Sequence, residues 1–288
     1  MQIVIDSGID LPLTPDEIRE LKINVVPLLV TLGRQTYRDH DSIDPAAFYP
    51  LLAEKKASAA TSQPNLGDFC NTYRCLAAVD PDILSLHMSS GLSGAFRTAQ
   101  TAAAMVPEAR VTVIDTRTLS VAAGWQVEAA ARAVRAGWLV ERIVALLDRI
   151  RAASDTLFTL DELKYLIRGG RISHMKGLLA ATLDLKPLIG VEKSMGTYIQ
   201  RGKVRSFPRA LEGLVDLIVR QHAPGSRLRV QIAHALNPEG AARLREIIGS
   251  RFDCTWLPVK TLSMVLGAHT GPSMVGIAYA PASAFEYD

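Results

Sequence analysis

Three cysteines in 288 residues, Cys70, Cys75 and Cys254, cannot all pair, and none stands in a CxxC spacing. A disulfide framework and a zinc ribbon are therefore excluded, and buried free thiols are the ordinary reading. The six histidines (His40, His87, His174, His222, His234, His269) form no HxxxH or HxH pair, so no metal site is expected. GxGxxG and GxxxxGK[ST] are both missing, so no cofactor of the dinucleotide or P-loop nucleotide kind is implied. No apolar run reaches the ~20 residues of a membrane span. Glu141 and Arg142 break one stretch, Asp184 and Lys186 another, and Asp6 and Asp10 stand where a secretory signal would be continuously apolar. The expectation is a soluble cytoplasmic protein without an integral membrane segment. Low-complexity tracts and solenoid-type repeats are also missing.

Charge of one sign is not concentrated either. The net charge is +3 and the pI about 8.8, but bases and acids are interleaved along the chain. That pattern argues against nucleic acid as a partner. The one basic concentration, RGKVRSFPR over Arg201–Arg209, suits a partner-docking surface as well as it suits a phosphate backbone.

What is present is an ordered globular composition, 48% hydrophobic and 21% charged, long enough for one large domain or two ordinary ones. The first half alternates short apolar runs with helical patterns, the mark of a parallel sheet flanked by helices on both faces, an α/β fold. QIVID (Gln2–Asp6), ILSLHM (Ile83–Met88) and VTVID (Val111–Asp115) read as buried strands. Thr14 and Pro15 open a helix with an N-cap, a first-turn proline and acids; Leu92–Met105 and Thr118–Arg135 read as further helices, the latter ended by Gly137. From about Thr156 the character changes: a GGRIS turn, a strand over Leu185–Val191, a hairpin through Gly196, then strands Leu228–Ala235 and Phe252–Val259 flanking a helix over Pro238–Gly249. This predicts a second, α+β domain carrying a mixed sheet with helices on one face. The boundary is placed near residue 157, giving domains 1–157 and 158–288.

In a parallel sheet the loops after the strands line the ligand crevice, so the residues of interest follow the strands. Ser89-Ser90-Gly91-Leu92-Ser93-Gly94 lies where a strand gives way to a helix, and hydroxyls with free amides there suit a carboxylate or phosphate. An ordinary N-cap turn explains it equally. A hydrolase reading of Ser93 lacks the second glycine of G-x-S-x-G, since Ala95 stands there. Thr61-Ser62-Gln63-Pro64 reads as a turn between two helical patterns. Gly169-Gly170-Arg171-Ile172-Ser173 puts a permanently charged fork on a flexible turn. His269-Thr270-Gly271-Pro272 follows an apolar run. Asp6-Ser7 and Asp115-Thr116 are expected to hold loops as supports behind the site.

The succession DSGIDLP, VVPL, TSQP, SSGLSG, DTRTLSVAAG, ELKYLIRGGRIS, LKPLIGV and HTGPSMVG resembles the DegV family in order and spacing over essentially the whole chain. The resemblance implies a two-domain α/β protein with a long-chain fatty acid as ligand, lying in an internal tunnel with its carboxylate in a polar site. It also implies the role of a non-catalytic subunit that presents the lipid to a separate ATP-dependent fatty-acid kinase for acyl phosphate formation. Carried over by motif, Thr61, Ser62, Ser93, the Gly94 amide, Arg171 and His269 form the head-group site, and Arg205 faces the kinase. Thr116 in place of the more usual serine and SMGT at the hairpin are departures from the pattern. A carboxylate needs hydroxyl donors and a cation if it is to leave water, and these residue types supply them. At ~0.8 kcal/mol per buried CH₂, a tail of about 16 carbons offers on the order of 10 kcal/mol before ordering costs. The competing enzyme reading is a serine-dependent acyl hydrolase using Ser93 and His269, for which the sequence offers no third, orienting residue.

Overall fold

The computed structural model describes residues 1–39, 42–54, 59–172 and 185–286. Its first sheet is wholly parallel and runs β2-β1-β6-β7, from β1 (Gln2–Asp6), β2 (Ile23–Val26), β6 (Asp82–His87) and β7 (Arg110–Asp115). Alternation along β1 explains why it needs cover on both sides. Val4 packs with Phe69, Tyr73, Ala99 and Ala102 from α3 (Leu66–Ala77) and α4 (Ala95–Ala104). Ile3 and Ile5 face the opposite cluster with Trp125 and Val127 of α5 (Ser120–Arg135). Helix α1 (Pro15–Glu20) begins as the sequence requires: Thr14 and Glu17 form a reciprocal capping box and Pro15 fills the first turn.

The second sheet is mixed, in the order β10-β9-β8-β14-β11-β12, with β13 also pairing β11. Its strands are β8 (Asp155–Thr159), β9 (Lys186–Val191), β10 (Tyr198–Val204), β11 (Arg227–His234), β12 (Asp253–Trp256), β13 (Lys260–Thr261) and β14 (Val275–Pro281). The division anticipated at residue 157 falls inside β8.

Helices on one face were expected for this sheet; the structure puts helices on both. Leu157, Val230, Ile232, Ile277 and Tyr279 pack with α8 (Phe207–Val219) and α9 (Pro238–Gly249). The alternate positions Phe158, Ala233, Ala278 and Ala280 belong to the same core as Trp125 and the α5 alanines. Trp125 donates Nε1–H to Gln231 Oε1 at 2.7 Å across this junction. The reason is side-chain size: with Ala233 on β11, Ala278 and Ala280 on β14 and a run of alanines along α5, helix and sheet approach closely.

TSQP also differs from expectation. Thr61 and Ser62 end a strand, β5 (Ala59–Ser62), in a small antiparallel sheet ordered β4-β3-β5 with β3 (Leu29–Leu32) and β4 (Gln35–Arg38). Thr61 lies opposite Val30 and Ser62 opposite Leu29. The strand pairs because β3 offers a buried apolar face through Val30 and Leu32, which a local reading of a small-residue segment does not register. Among the described residues, no helix is long and apolar enough to cross a membrane.

Candidate functional site

Four of the candidate residues converge. Thr61, Ser93, Arg171 and His269 line one cavity together with Leu28, Met88, Leu92, Tyr198, Val265 and Leu266. They come from four separated places. Thr61 is on β5, and Ser93 is in the turn before α4. Arg171 follows α7 (Lys164–Arg168), and His269 is on α10 (Met264–Thr270).

The strand period sorts TSQP: Thr61 reaches the cavity, whereas Ser62 points the other way, is exposed, and does not line it. Gly94 borders an adjoining surface hollow that shares Leu92, Ser93 and Arg171 with the cavity. A Cβ at Gly94 would sit 1.6 Å from Gln63 Oε1, so glycine here lets the TSQP segment close on the turn. Arg205 is exposed just after β10 and lines neither the cavity nor the hollow. Ser173 of GGRIS lies outside the described residues.

The polar atoms are held but not exhausted. His269 Nε2 lies 2.7 Å from Thr61 Oγ1, and its Nδ1 is buried without a partner. Burial, and then the neighbouring Arg171 guanidinium, lower the imidazole pKa to about 4, so His269 is neutral at physiological pH. Arg171 donates from Nη1 to Gly169 O at 2.6 Å and from Nε to Leu92 O at 3.3 Å. Of a guanidinium's five donors these two contacts use two, so the fork is aimed by the backbone with donors left for an anion. Ser93 Oγ accepts from Ala95 N at 3.2 Å and keeps its own proton to donate.

The supports anticipated behind the site are in place. Asp115 accepts from Ser90 Oγ at 2.6 Å and from Ser90 N at 3.2 Å, fixing the SSGLSG loop. Thr116 donates to His87 O at 2.8 Å. Asp6 accepts from Gly8 N and Met88 N, each at 2.9 Å. The β9–β10 hairpin closes on this loop: a Cβ at Gly91 would stand 2.4 Å from Met195 O, and one at Gly196, where φ is +63°, 1.9 Å from Ser89 Oγ.

Two features escaped the sequence reading. Leu119, Phe158, Leu262, Met274 and Ile277 line a second, apolar cavity, which shares Tyr198 and Leu266 with the first. Each cavity holds about 20 Å³. The apolar lining is drawn from strands and helices far apart in the chain, so no local pattern announces it. The second feature is a chain of buried polar side chains under β1 and β6. Tyr73 Oη, Ser85 Oγ, His87 Nε2 and then His87 Nδ1, Asp6 Oδ2 follow at 2.8, 2.8 and 3.0 Å. A Ser-His-Asp order stands here, but all three residues have no exposure, and every link is already occupied.

A serine-hydrolase pair is not supported. His269 is bonded to Thr61, and its Nδ1 has no orienting carboxylate.

Fold and site together define a class: a two-domain α/β protein whose sheets meet around a small cationic, hydroxyl-rich cavity with an apolar cavity beside it. A family model for uncharacterised proteins of the DegV family matches residues 1–282. A DegV domain-containing protein of Deinococcus radiodurans is 34% identical over 285 residues, covering 98% of this chain and 99% of that one. Among solved structures, a DegV family protein from Thermus thermophilus described as binding fatty acid superposes with a TM-score of 0.86 at 31% identity, over 97% of this chain and 99% of that one. DegV from Bacillus subtilis, a fatty acid binding protein, gives a TM-score of 0.86 at 27% identity over 97% and 98%. The chain belongs to the DegV family.

Proposed function

We propose that this protein binds a long-chain fatty acid, with the carboxylate among Thr61, Ser93, Arg171 and His269 and the tail directed past Tyr198 and Leu266 into the apolar cavity. The observation that carries the reading is the shared wall: a cation, two hydroxyls and an imidazole with one nitrogen bare on one side, and apolar side chains on the other. The fatty-acid binding of the Thermus thermophilus and Bacillus subtilis relatives supports it. The anion offsets the Arg171 charge, and the hydroxyl protons and remaining guanidinium donors replace lost water. A volume of about 20 Å³ accommodates about one water-sized sphere, so the tail enters by parting the side chains between the cavities, Leu266 and Tyr198 first.

Within this reading, the chain has no catalytic role of its own and presents the carboxylate to a separate ATP-dependent kinase subunit, with Arg205 on the docking side. The exposed position of Arg205 beside Arg201 and Lys203 is compatible with an acidic partner face. The division of the chain into 1–157 and 158–288 belongs to the same proposal: the first part supplies Thr61 and Ser93, the second Arg171 and His269.

The test is to purify the protein from a bacterial host, denature it, extract it and identify released acids by mass spectrometry. Near-stoichiometric long-chain fatty acid is the expected result. Its absence, together with failure to bind added oleate or palmitate, would remove the reading.

A further inference from the structure

Helix α10 has only seven residues, yet it carries three of the cavity-lining side chains, Val265, Leu266 and His269. A helix this short has little stability of its own, so its position must be imposed by what holds its ends. Its first turn is held by two buried carboxylates from elsewhere in the chain. Asp10, in the loop after β1, accepts from Ser263 N at 3.0 Å through Oδ1 and from Ser120 Oγ at 2.6 Å through Oδ2. Asp39, at the end of β4, accepts from Met264 N at 3.1 Å through Oδ1. The phenol of Tyr49, on α2 (Pro45–Glu54), donates to Leu262 O at 2.8 Å just upstream. Both aspartates are buried, at 6% and 1% exposure.

Neither Asp10 nor Asp39 lines the cavity that holds His269. They border instead an open cleft of about 820 Å³ with Ser7, Pro45 and Lys260. A carboxylate kept so dry with one oxygen unsatisfied, as Asp39 Oδ2 is, is costly to retain for stability alone. What it secures is the placement of the α10 first turn.

Resting on the fatty-acid reading, we infer that Asp10 and Asp39 are positioning residues for the head-group site. They clamp the first turn of α10, so that His269, at its other end, meets Thr61 and Leu266 faces the seam between the two cavities. The carboxylates never touch lipid. Their effect travels along the roughly two turns of α10, which the loss of either acceptor frees to shift or fray.

The experiment measures oleate affinity and the ring carbon NMR titration of His269 in the wild-type chain and in Asp39→Ala and Asp39→Asn, with thermal unfolding of each as a control. Asparagine keeps the acceptor for Met264 N and alanine does not. The expected result is that Asp39→Ala binds oleate about tenfold more weakly, equivalent to one lost buried hydrogen bond. The His269 titration moves toward that of a free imidazole at the same time, while Asp39→Asn stays within about threefold of wild type. Wild-type oleate affinity in Asp39→Ala overturns the inference. So does weaker binding with an unmoved His269 titration, or an asparagine variant as weak as the alanine one. If Asp39→Ala does not unfold cooperatively, the pair Asp10→Ala and Asp10→Asn replaces it with the same outcomes. Absence of oleate binding by the wild type refutes the fatty-acid reading itself, and the His269 titration still decides the clamp.

Discussion

Two of the described histidines sit beside hydroxyls at 2.7–2.8 Å, and the two regions around them differ in what is left over. His87 has both ring nitrogens bonded, to Ser85 and Asp6, and Asp6 in turn accepts two backbone amides. His269 has one nitrogen bonded and one bare, beside an arginine with free donors. A buried polar group that is fully paired specifies structure. One that is held in place but not satisfied is prepared for something that arrives later.

The largest expected effect separates these roles. Asp6→Ala leaves His87 Nδ1 and the amides of Gly8 and Met88 without an acceptor in the core. It is expected to lower unfolding free energy by about 3–5 kcal/mol in urea titrations. Arg171→Ala should do the reverse: oleate affinity falls roughly 10- to 100-fold, the loss of a charge-assisted bond worth about 1.5–3 kcal/mol, while the urea midpoint hardly moves. Unchanged affinity in that variant takes Arg171 out of the site.

The pH dependence of stability sharpens the contrast within the site itself. His269 is held at about 4 against 6.5 for free imidazole, so the unfolded chain takes up its proton first. Stability is therefore lost as pH falls from about 6.5 toward 4, and His269→Gln should flatten this acid limb. Asp39 has the opposite sign. Burial pushes its carboxyl up to about 7 from 3.8, so the penalty for ionising it grows as pH rises between those values, and Asp39→Asn should recover stability near pH 8. Each effect is at most on the order of 3–5 kcal/mol, at about 1.4 kcal/mol per pH unit, read as melting temperature across pH 4–8.

The smallest effect tests the faces of β5. Thr61→Val should weaken oleate binding by about fivefold, the scale of one neutral hydrogen bond, whereas Ser62→Ala should leave it within about twofold. Equal effects at the two positions would place the lipid carboxylate on the wrong side of the strand.

The regular elements were legible because their signals are local. QIVID and VTVID are dense apolar runs. Thr14-Pro15-Asp16-Glu17 spells out a helix start, and Gly196 sits in the hairpin where a positive φ is needed. The motif residues Thr61, Ser93, Arg171 and His269 were also nameable from their segments. The strand character of TSQP was not, because it depends on β3 as a neighbour. The helix on the second face of the mixed sheet was equally hidden, since it follows from alanines at alternate positions in strands and helix that only meet after folding.

The sequence by itself determined the α/β class, the strand and helix starts, and the kinds of side chain available to hold an anion. These follow from periodicity, capping and residue chemistry within a few neighbours of each position. Only the tertiary structure decided that Thr61 faces inward and Ser62 outward. The same holds for Tyr198 and Leu266 dividing a polar cavity from an apolar one, and for Asp10 and Asp39 gripping the helix that carries His269. Each of those facts is a relation between residues tens to hundreds of positions apart, fixed by packing and by the pairing of buried polar groups.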